Sequence, residues 1–285
     1  MKIYSCGLTD IGKVRTNNED SFICDNETGL FVVADGMGGH NAGEVASQRA
    51  IETIHTYIKK IYDAPDKVVY GSVDKNLSVW GNHLASAIRI ANSVVYQSAQ
   101  NSPDKKGMGT TIAAVFYDKK KNLAACANVG DSRIYTFFSK NNNPADSTLK
   151  QITEDHTIVA EQLKMGMITD EEARKSQYQN LLSRALGVSD SVEVDVKEIT
   201  PSDGTVLLVA SDGLTRMVGD EDIKNILAAT LVRPRDKGAA SHLSKEEAAA
   251  KALIDAANLK GGRDNITVII IRFEKESLIE KIFSS

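Results

Sequence analysis

Residues 30–39 read LFVVADGMGG, an unbroken apolar run that passes directly into an aspartate and three glycines. Two further runs, residues 205–210 and 266–271, are similarly apolar and rich in β-branched side chains. Runs of this length and composition are typical of buried strands. The sequence therefore predicts central strands that begin or end at acidic residues.

Four short acidic signatures lie beside such strand-like runs. They are NED at 18–20, ADGMGG at 34–39, SDG at 211–213 and GRDN at 262–265. Because a fold can bring several strand ends to one place, we expect these carboxylates to converge. Clustered carboxylates repel unless cations lie between them, and an oxygen-only ligand set suits Mg²⁺ or Mn²⁺ better than a structural zinc.

The composition is that of an ordinary globular protein. The 285 residues are 42% hydrophobic and 25% charged, enough to build one large domain or two small ones. A net charge of −4 argues against a nucleic-acid surface. The three cysteines, Cys6, Cys24 and Cys126, are isolated and odd in number, which argues against a disulfide framework and indicates a reducing compartment. No segment resembles a signal peptide or a bilayer span, so we expect a cytoplasmic protein without membrane insertion.

Helices and strands are predicted in blocks rather than in regular alternation. Helices are predicted over residues 41–62, around 80–95 and over 244–260. Strands are predicted over residues 110–117, 123–129 and 132–138, which we expect to form an antiparallel meander. Helices grouped between strand blocks predict an α+β fold, a central sandwich of two mainly antiparallel sheets flanked by helices.

Residues 153–191 differ from the rest of the chain. They are polar and helical in short pieces, with a break at Gly166 and a new helix capped by Thr169 and Glu172. We expect this segment to be a flap inserted in a single domain of residues 1–285. The connections 62–76 and 233–241 are expected to be loops, to which the sequence assigns no role.

Taken together, the motifs resemble those of the PPM, or PP2C-type, metal-dependent protein serine/threonine phosphatases, and they occur in the family's order. They are RTNNEDS at 15–21, ADGMGGH at 34–40, GTT at 109–111, VGDSR at 129–133, SDG at 211–213 and GRDNIT at 262–267. The resemblance covers nearly the whole chain. It is closest to the bacterial branch, in which stretches like TEDH at 153–156 and SRALG at 183–187 bracket a flap.

The resemblance implies a centre of two Mn²⁺ or Mg²⁺ ions that depends on three catalytic aspartates. Asp35 would bridge both ions, and the backbone carbonyl of Gly36 would bind one of them. Asp212 and Asp264 would bind the other ion.

The resemblance also assigns roles to four residues around this centre. Glu19 and Asp20 would lie beside the cluster and bind metal directly or through water. Asp131, together with Asp212, would hold a third, weaker ion. Arg15 would bind the substrate phosphate, because its planar fork can give two charge-assisted hydrogen bonds.

The implied reaction is hydrolysis of phosphoserine and phosphothreonine in proteins by direct attack of a metal-bridging hydroxide. Two cations roughly 3.5–4 Å apart neutralise the phosphate dianion and lower the pKa of a bridging water toward ~7. No phosphoenzyme is required. The implied partners are phosphorylated proteins, a cognate serine/threonine kinase and its substrates, and we expect a monomer.

One position departs from the animal members of the family. Met37 stands where they carry a histidine proposed as the general acid, although bacterial members usually lack this histidine too. The leaving alkoxide must then take its proton from a metal-bound water or another group. His40 is one nearby candidate, and the sequence leaves the donor open.

Three alternative functions can be tested against the sequence. Residues 7–14, GLTDIGKV, nearly spell a nucleotide-binding P-loop, but Val14 stands where a hydroxyl must reach Mg²⁺. The stretch from Cys126 to Arg133 is similar to a cysteine-phosphatase loop with one residue too many. The remaining alternative is a catalytically inactive phosphoprotein-binding regulatory module on the same fold, which hydrolysis of para-nitrophenyl phosphate would distinguish.

Overall fold

The apolar runs of the sequence form strands at the centre of two stacked β-sheets. The structure, a computed structural model, describes residues 1–39, 42–65, 69–140, 143–232 and 243–275. In both sheets all neighbouring strands are antiparallel. Sheet I contains, in spatial order, β1 (Lys2–Asp10), β11 (Ile266–Glu274), β10 (Val206–Ala210), β7 (Arg133–Ser139) and β8 (Ser147–Gln151). Sheet II contains β2 (Asp20–Asp25), β3 (Leu30–Met37), β5 (Ile112–Asp118), β6 (Leu123–Val129) and β9 (Asp195–Ile199), with the short β4 (Gly109–Thr110) paired to β3.

Helices cover the outer face of each sheet. Sheet II is covered by α1 (Ala42–Ile61) and α2 (Val79–Gln100), and sheet I by α5 (Asp212–Thr215), α6 (Asp220–Leu227) and α7 (Lys245–Leu259). Two further helices, α3 (Ile158–Lys164) and α4 (Asp170–Lys175), belong to the segment 153–191. Short 3₁₀ turns at Pro103–Lys105 and Pro144–Asp146 and a π-helical turn at Ala228–Val232 complete the described elements.

The core explains why the central strands are apolar without interruption. Along β11, Val268 and Ile270 pack toward the helices, whereas Ile269 and Ile271 pack between the two sheets. A strand that is buried on both faces has no solvent-facing side, so polar residues do not alternate with apolar ones in its sequence. The predicted four-layer sandwich is therefore confirmed.

The predicted meander is wrong at its third strand. β5 and β6 pair as expected, but β6 then pairs with β9 in sheet II. β7 crosses to sheet I, where it pairs with β10 and β8. The crossing occurs at residues 130–132, where Gly130 has a positive φ of 102°. A turn of this kind redirects the chain, and a pattern of strand lengths cannot reveal it.

β1 and β2 are not predicted from the sequence. β1 lies at the edge of sheet I, and most of its residues are only half-buried, so it has no unbroken apolar run. The same edge position and half-buried pattern apply to β9 in sheet II. β1 also rules out the P-loop reading, because it is antiparallel to β11 and no helix follows it before β2.

Leu186, near the end of the segment 153–191, is buried in the core between sheet II and its helices. Thr157 and Leu182 form an isolated β-bridge that closes the part of the segment between them. The predicted capping box is confirmed, since Thr169 and Glu172 exchange both of its hydrogen bonds. The start of α7 is capped as well, because the Glu247 backbone N–H donates to Ser244 Oγ at 3.1 Å. His40, the loop 233–241 and part of the loop 62–76 lie outside the described residues.

Candidate active site

The ends of both sheets bring five aspartates together. Asp20, at the start of β2, is the register partner of Asp35 near the end of β3. Asp212 follows β10 and Asp264 precedes β11, so these two belong to sheet I. Asp131 lies in the turn where the chain crosses between the sheets. Four of the five line one cavity of about 480 Å³, namely Asp35, Asp131, Asp212 and Asp264.

The backbone of Asp35 is fixed by the Gly-Thr-Thr motif. The Thr110 hydroxyl and the Thr111 backbone N–H both donate to the Asp35 carbonyl oxygen, each at 2.9 Å. The Asp35 N–H in turn donates to Thr111 Oγ1 at 3.1 Å. Burial, followed by repulsion from Asp212 and the other aspartates, raises the pKa of Asp35 well above its usual range. The motif thus holds a carboxylate where other carboxylates oppose its charge.

Asp20 does not line the cavity but is buried beside it. Its Oδ2 accepts hydrogen bonds from Ser211 Oγ at 2.8 Å and from Thr267 Oγ1 at 2.6 Å, which join the two sheets. Its Oδ1 has no hydrogen-bond partner among the described residues. Burial raises the pKa of Asp20 to about 6, although both hydroxyl donors oppose this shift.

Asp212 and Asp131 share one arginine. Arg216, one helical turn after Asp212, forms an ion pair with Asp212 Oδ2 and donates to Asp131 Oδ2 at 3.1 Å. Asp212 Oδ1 is buried without a partner among the described residues. Burial and the charge of Asp131 raise the pKa of Asp212 far above its usual range. Sequence analysis missed Arg216, although its i,i+4 spacing from Asp212 places both side chains on one helix face.

Arg15 and Asp264 form the opposite wall. Arg15 Nη2 donates to Asp264 Oδ2 at 2.9 Å, and the Arg15 side chain is half exposed. Asn265, the next residue, ties the loop before β2 to β11. Its amide donates to the carbonyls of Ile11 at 3.1 Å and Asn17 at 2.9 Å.

Glu19 and Gly36 stand where the backbone is crowded. The Gly36 N–H donates to the Glu19 carbonyl at 3.1 Å, and the Glu19 N–H donates to Asn265 Oδ1 at 2.8 Å. A Cβ on Gly36 would overlap the Gly43 carbonyl oxygen. Only glycine therefore fits at this point of the cavity wall. Burial raises the pKa of Glu19 as well.

The residues present fit divalent cations by their chemistry. The donor set consists of oxygen atoms, and two of its buried carboxylate oxygens are unpartnered. Burial, and then repulsion by the other aspartates, raises the pKa of Asp35. Within the described part of the chain, no three acidic, histidine or cysteine side chains are arranged as a finished metal site. Instead, Arg15 and Arg216 are paired with three of the aspartates.

The chain matches the family profile of protein phosphatase 2C over residues 12–246. This chain belongs to the protein phosphatase 2C family. It is 36% identical over 268 residues to serine/threonine phosphatase stp of Listeria welshimeri, covering 92% of this chain and 93% of the relative. It is 30% identical over 273 residues to protein phosphatase PhpP of Streptococcus pneumoniae, covering 94% and 97%. The prediction of a protein serine/threonine phosphatase is confirmed by these relatives.

Solved structures agree with this protein phosphatase 2C assignment. The Mycobacterium tuberculosis serine/threonine phosphatase PstP/Ppp superposes with a TM-score of 0.76 at 32% identity, covering 96% of this chain and 99% of that one. The catalytic domain of PstP in complex with two manganese ions superposes with a TM-score of 0.72 at 31% identity, with the same coverage.

The cysteine-phosphatase reading of this phosphatase fails on its own chemistry. Cys126 lies in the middle of β6 and is buried. Burial raises the pKa of its thiol to about 12, so a thiolate nucleophile is not accessible.

In the described ranges of the chain, no helix is both long and apolar enough to cross a membrane.

Proposed function

We propose that this phosphatase hydrolyses phosphoserine and phosphothreonine in proteins with Mn²⁺ or Mg²⁺ bound in the 480 Å³ cavity. The observation that carries the proposal is the convergence of carboxylates from both sheets on that cavity. When bound, two cations would neutralise the phosphate dianion and lower the pKa of a water to ~7, so that it attacks phosphorus directly. The PstP structure with two manganese ions supports this choice of metal.

The proposed ligands come from both sheets. Asp35 would hold both ions and the Gly36 carbonyl one of them, since both residues lie on the cavity wall at the end of β3. Asp212 and Asp264 would hold the other ion from sheet I. Glu19 lines the cavity and can bind directly or through water.

Two further residues complete the proposed centre. Asp20, buried beside the cavity, acts directly or through a water at its unpartnered Oδ1. A third, weaker ion is proposed at Asp131, with the unpartnered Oδ1 of Asp212. Both carboxylates face the same cavity, which supports their joint assignment.

Arg15 binds the substrate phosphate in this proposal. Its guanidinium lines the cavity, is half exposed, and has donors left after pairing with Asp264. A planar guanidinium can hold two phosphate oxygens and so orient phosphorus toward the attacking water. Met37 also lines the cavity, and its thioether has no proton to give to the leaving alkoxide.

The domain organisation, substrates, oligomeric state and location are proposed from the sequence and the family. Residues 1–285 form a single phosphatase domain, with residues 153–191 as a flap beside the cavity. The substrates are phosphoproteins, so a serine/threonine kinase must produce them. We propose a cytoplasmic location, because all three cysteines are free, as expected in a reducing compartment. We also propose that the protein is a monomer.

Phosphate release from phosphoserine and phosphothreonine peptides tests the proposal. EDTA should abolish turnover by the full chain, and Mn²⁺ or Mg²⁺ should restore it. Asp35→Asn should lower kcat at least ~10²-fold, because it removes a metal-binding charge at nearly constant shape. Asp255→Asn, on the exposed face of α7 and paired with Lys251, is the matched control and should retain activity. Full turnover in EDTA would contradict the proposal, and phosphopeptide binding without phosphate release would favour an inactive binding module.

A further inference from the structure

Arg216 occupies the space between the two carboxylates proposed for the third ion. It forms an ion pair with Asp212 Oδ2, and its Nη2 lies 3.1 Å from Asp131 Oδ2. The side chains of Asp131 and Asp212 are 8% and 9% exposed, so both charges are largely removed from water. A guanidinium in this position supplies the positive charge that two buried carboxylates need.

We propose that Arg216 is an internal cation that competes with the third metal ion. The inference rests on the proposed metal centre and concerns the affinity of its third site. A cation that binds Asp131 and Asp212 must compete with the guanidinium, because both cations draw on the charge of the same two carboxylates even where they use different oxygens. The third ion is weak because it must displace the guanidinium or share these carboxylates with it.

The surroundings give Arg216 a place to move. A second cavity of about 450 Å³ shares Asp131, Asp212 and Arg216 with the first. Its lining includes Asp170, in the first turn of α4, and Arg133, which is paired with Asp155. A displaced guanidinium therefore enters a cavity that contains a further carboxylate, Asp170. Arg216 is 32% exposed, so this movement does not require the core to open.

The other two metal positions have different neighbours. Asp35 makes no ion pair among the described residues, and Asp264 pairs with the half-exposed Arg15, which the substrate phosphate can draw away. Competition by Arg216 is thus confined to Asp131 and Asp212. Because Asp212 also serves one tight ion in the proposed centre, Arg216 opposes that ion through one carboxylate and the third ion through two.

Calorimetric titration of the metal-free full chain with Mn²⁺ tests the inference without measuring activity. Wild type should bind two ions tightly and a third weakly. Arg216→Gln should tighten the third ion at least about tenfold, the scale of one lost charge-assisted hydrogen bond, and should change the affinity of the two tight ions less. Adding Asp131→Asn to Arg216→Gln should remove this gain. Lys224→Gln, which removes a positive charge paired with Glu221 on α6, is the matched control and should leave all sites unchanged.

A second readout uses thermal unfolding. In EDTA, Arg216→Gln should melt below wild type, because two buried carboxylates lose their counter-charge. Saturating Mn²⁺ should close that gap. If Arg216→Gln does not fold, Arg216→Lys replaces it, since a single ammonium cannot span both carboxylates and should tighten the third site in part.

The outcomes separate the two proposals. If the first two ions bind and third-site affinity is equal in wild type and the Arg216 variant, competition by Arg216 is wrong and the metal centre stands. If no Mn²⁺ binds to wild type at any site, the proposed function itself fails.

Discussion

Asp35 occupies a position where burial and neighbouring negative charges destabilise its ionised carboxylate. Burial and four neighbouring aspartates raise its pKa, and the carboxylate forms no direct ion pair among the described residues. Active sites often keep such unfavourable groups because binding requires them. We therefore predict that Asp35→Asn raises the melting temperature of the protein in EDTA while it removes activity. Thermal unfolding of variant and wild type in EDTA is the measurement, and a lower melting temperature for the variant would contradict the argument.

Arg15 should act on the substrate rather than on the metals. Arg15→Ala should weaken phosphopeptide binding by roughly 1.5–3 kcal/mol, the scale of a charged hydrogen bond. Mn²⁺ affinity should not fall, because the substitution removes a cation that is paired with Asp264. Phosphopeptide KM and calorimetric Mn²⁺ titration separate the two effects. Weakened Mn²⁺ binding with a normal KM would show that the assignment is wrong.

At the same scale, the sequence is informative where a side chain belongs to a local motif. Asp35, Asp212 and Asp264 are each followed by glycine or asparagine, and the structure places all three on one cavity. Asp20 is also marked by its motif, yet only the structure reveals the hydroxyl donors from Ser211 and Thr267. These contacts span 191 and 247 positions of the chain, so no local pattern contains them.

Among the elements, the turn from β10 into α5 sets the position of Asp212. A Cβ on Gly213 would overlap the Asn265 carbonyl oxygen at the start of β11. Gly213→Ala should therefore destabilise the protein by about 1–3 kcal/mol through overpacking, and it should lower kcat by shifting Asp212. Gly219→Ala is the matched control, because nothing lies within 4 Å of its added Cβ. Urea unfolding and kcat are the measurements, and equal effects of the two substitutions would contradict the close-approach argument.

The segment 153–191 should affect the turnover of protein substrates more than it affects the chemical step. Leu181 and Val188 line the cavity and are 53% and 55% exposed, so they can contact a bound protein. The Thr157–Leu182 bridge defines where the segment can be cut. Replacing residues 158–181 by a short glycine linker should reduce kcat/KM for a phosphoprotein several-fold more than for para-nitrophenyl phosphate. Equal losses on both substrates, with unchanged Mn²⁺ binding, would count against a flap.

How well an element is predicted depends on how it is buried. β3, β10 and β11 are enclosed on both faces and leave an unmistakable apolar run. β1 lies at an edge, and its half-buried residues leave none. The local sequence also does not determine which sheet a strand joins. β7 leaves the expected meander at Gly130 and pairs with β10 instead.

For the molecule as a whole, the site lies across the junction of two sheets. Asp35 belongs to sheet II, whereas Asp212 and Asp264 belong to sheet I. Without cations, like charges from the two sheets face each other across the cavity. With cations, the same charges would become ligands that join the sheets. Metal binding should thus be linked to global stability rather than to the order of one loop.

This linkage gives a prediction for the intact protein. A ligand at 100 times its Kd stabilises the folded state by about 2.7 kcal/mol, which should raise the melting temperature by about 5 °C or more. Mn²⁺ added to the metal-free chain should produce this rise, and it should grow with concentration. Asp35→Asn should show a much smaller rise, since it lacks one of the proposed metal ligands. Amide exchange should slow in β3 and in β10 together, because ligands of both sheets are fixed at once. If protection appears in one sheet alone, the ions do not join the two halves of the sandwich, and the ligand set assigned across the junction is wrong.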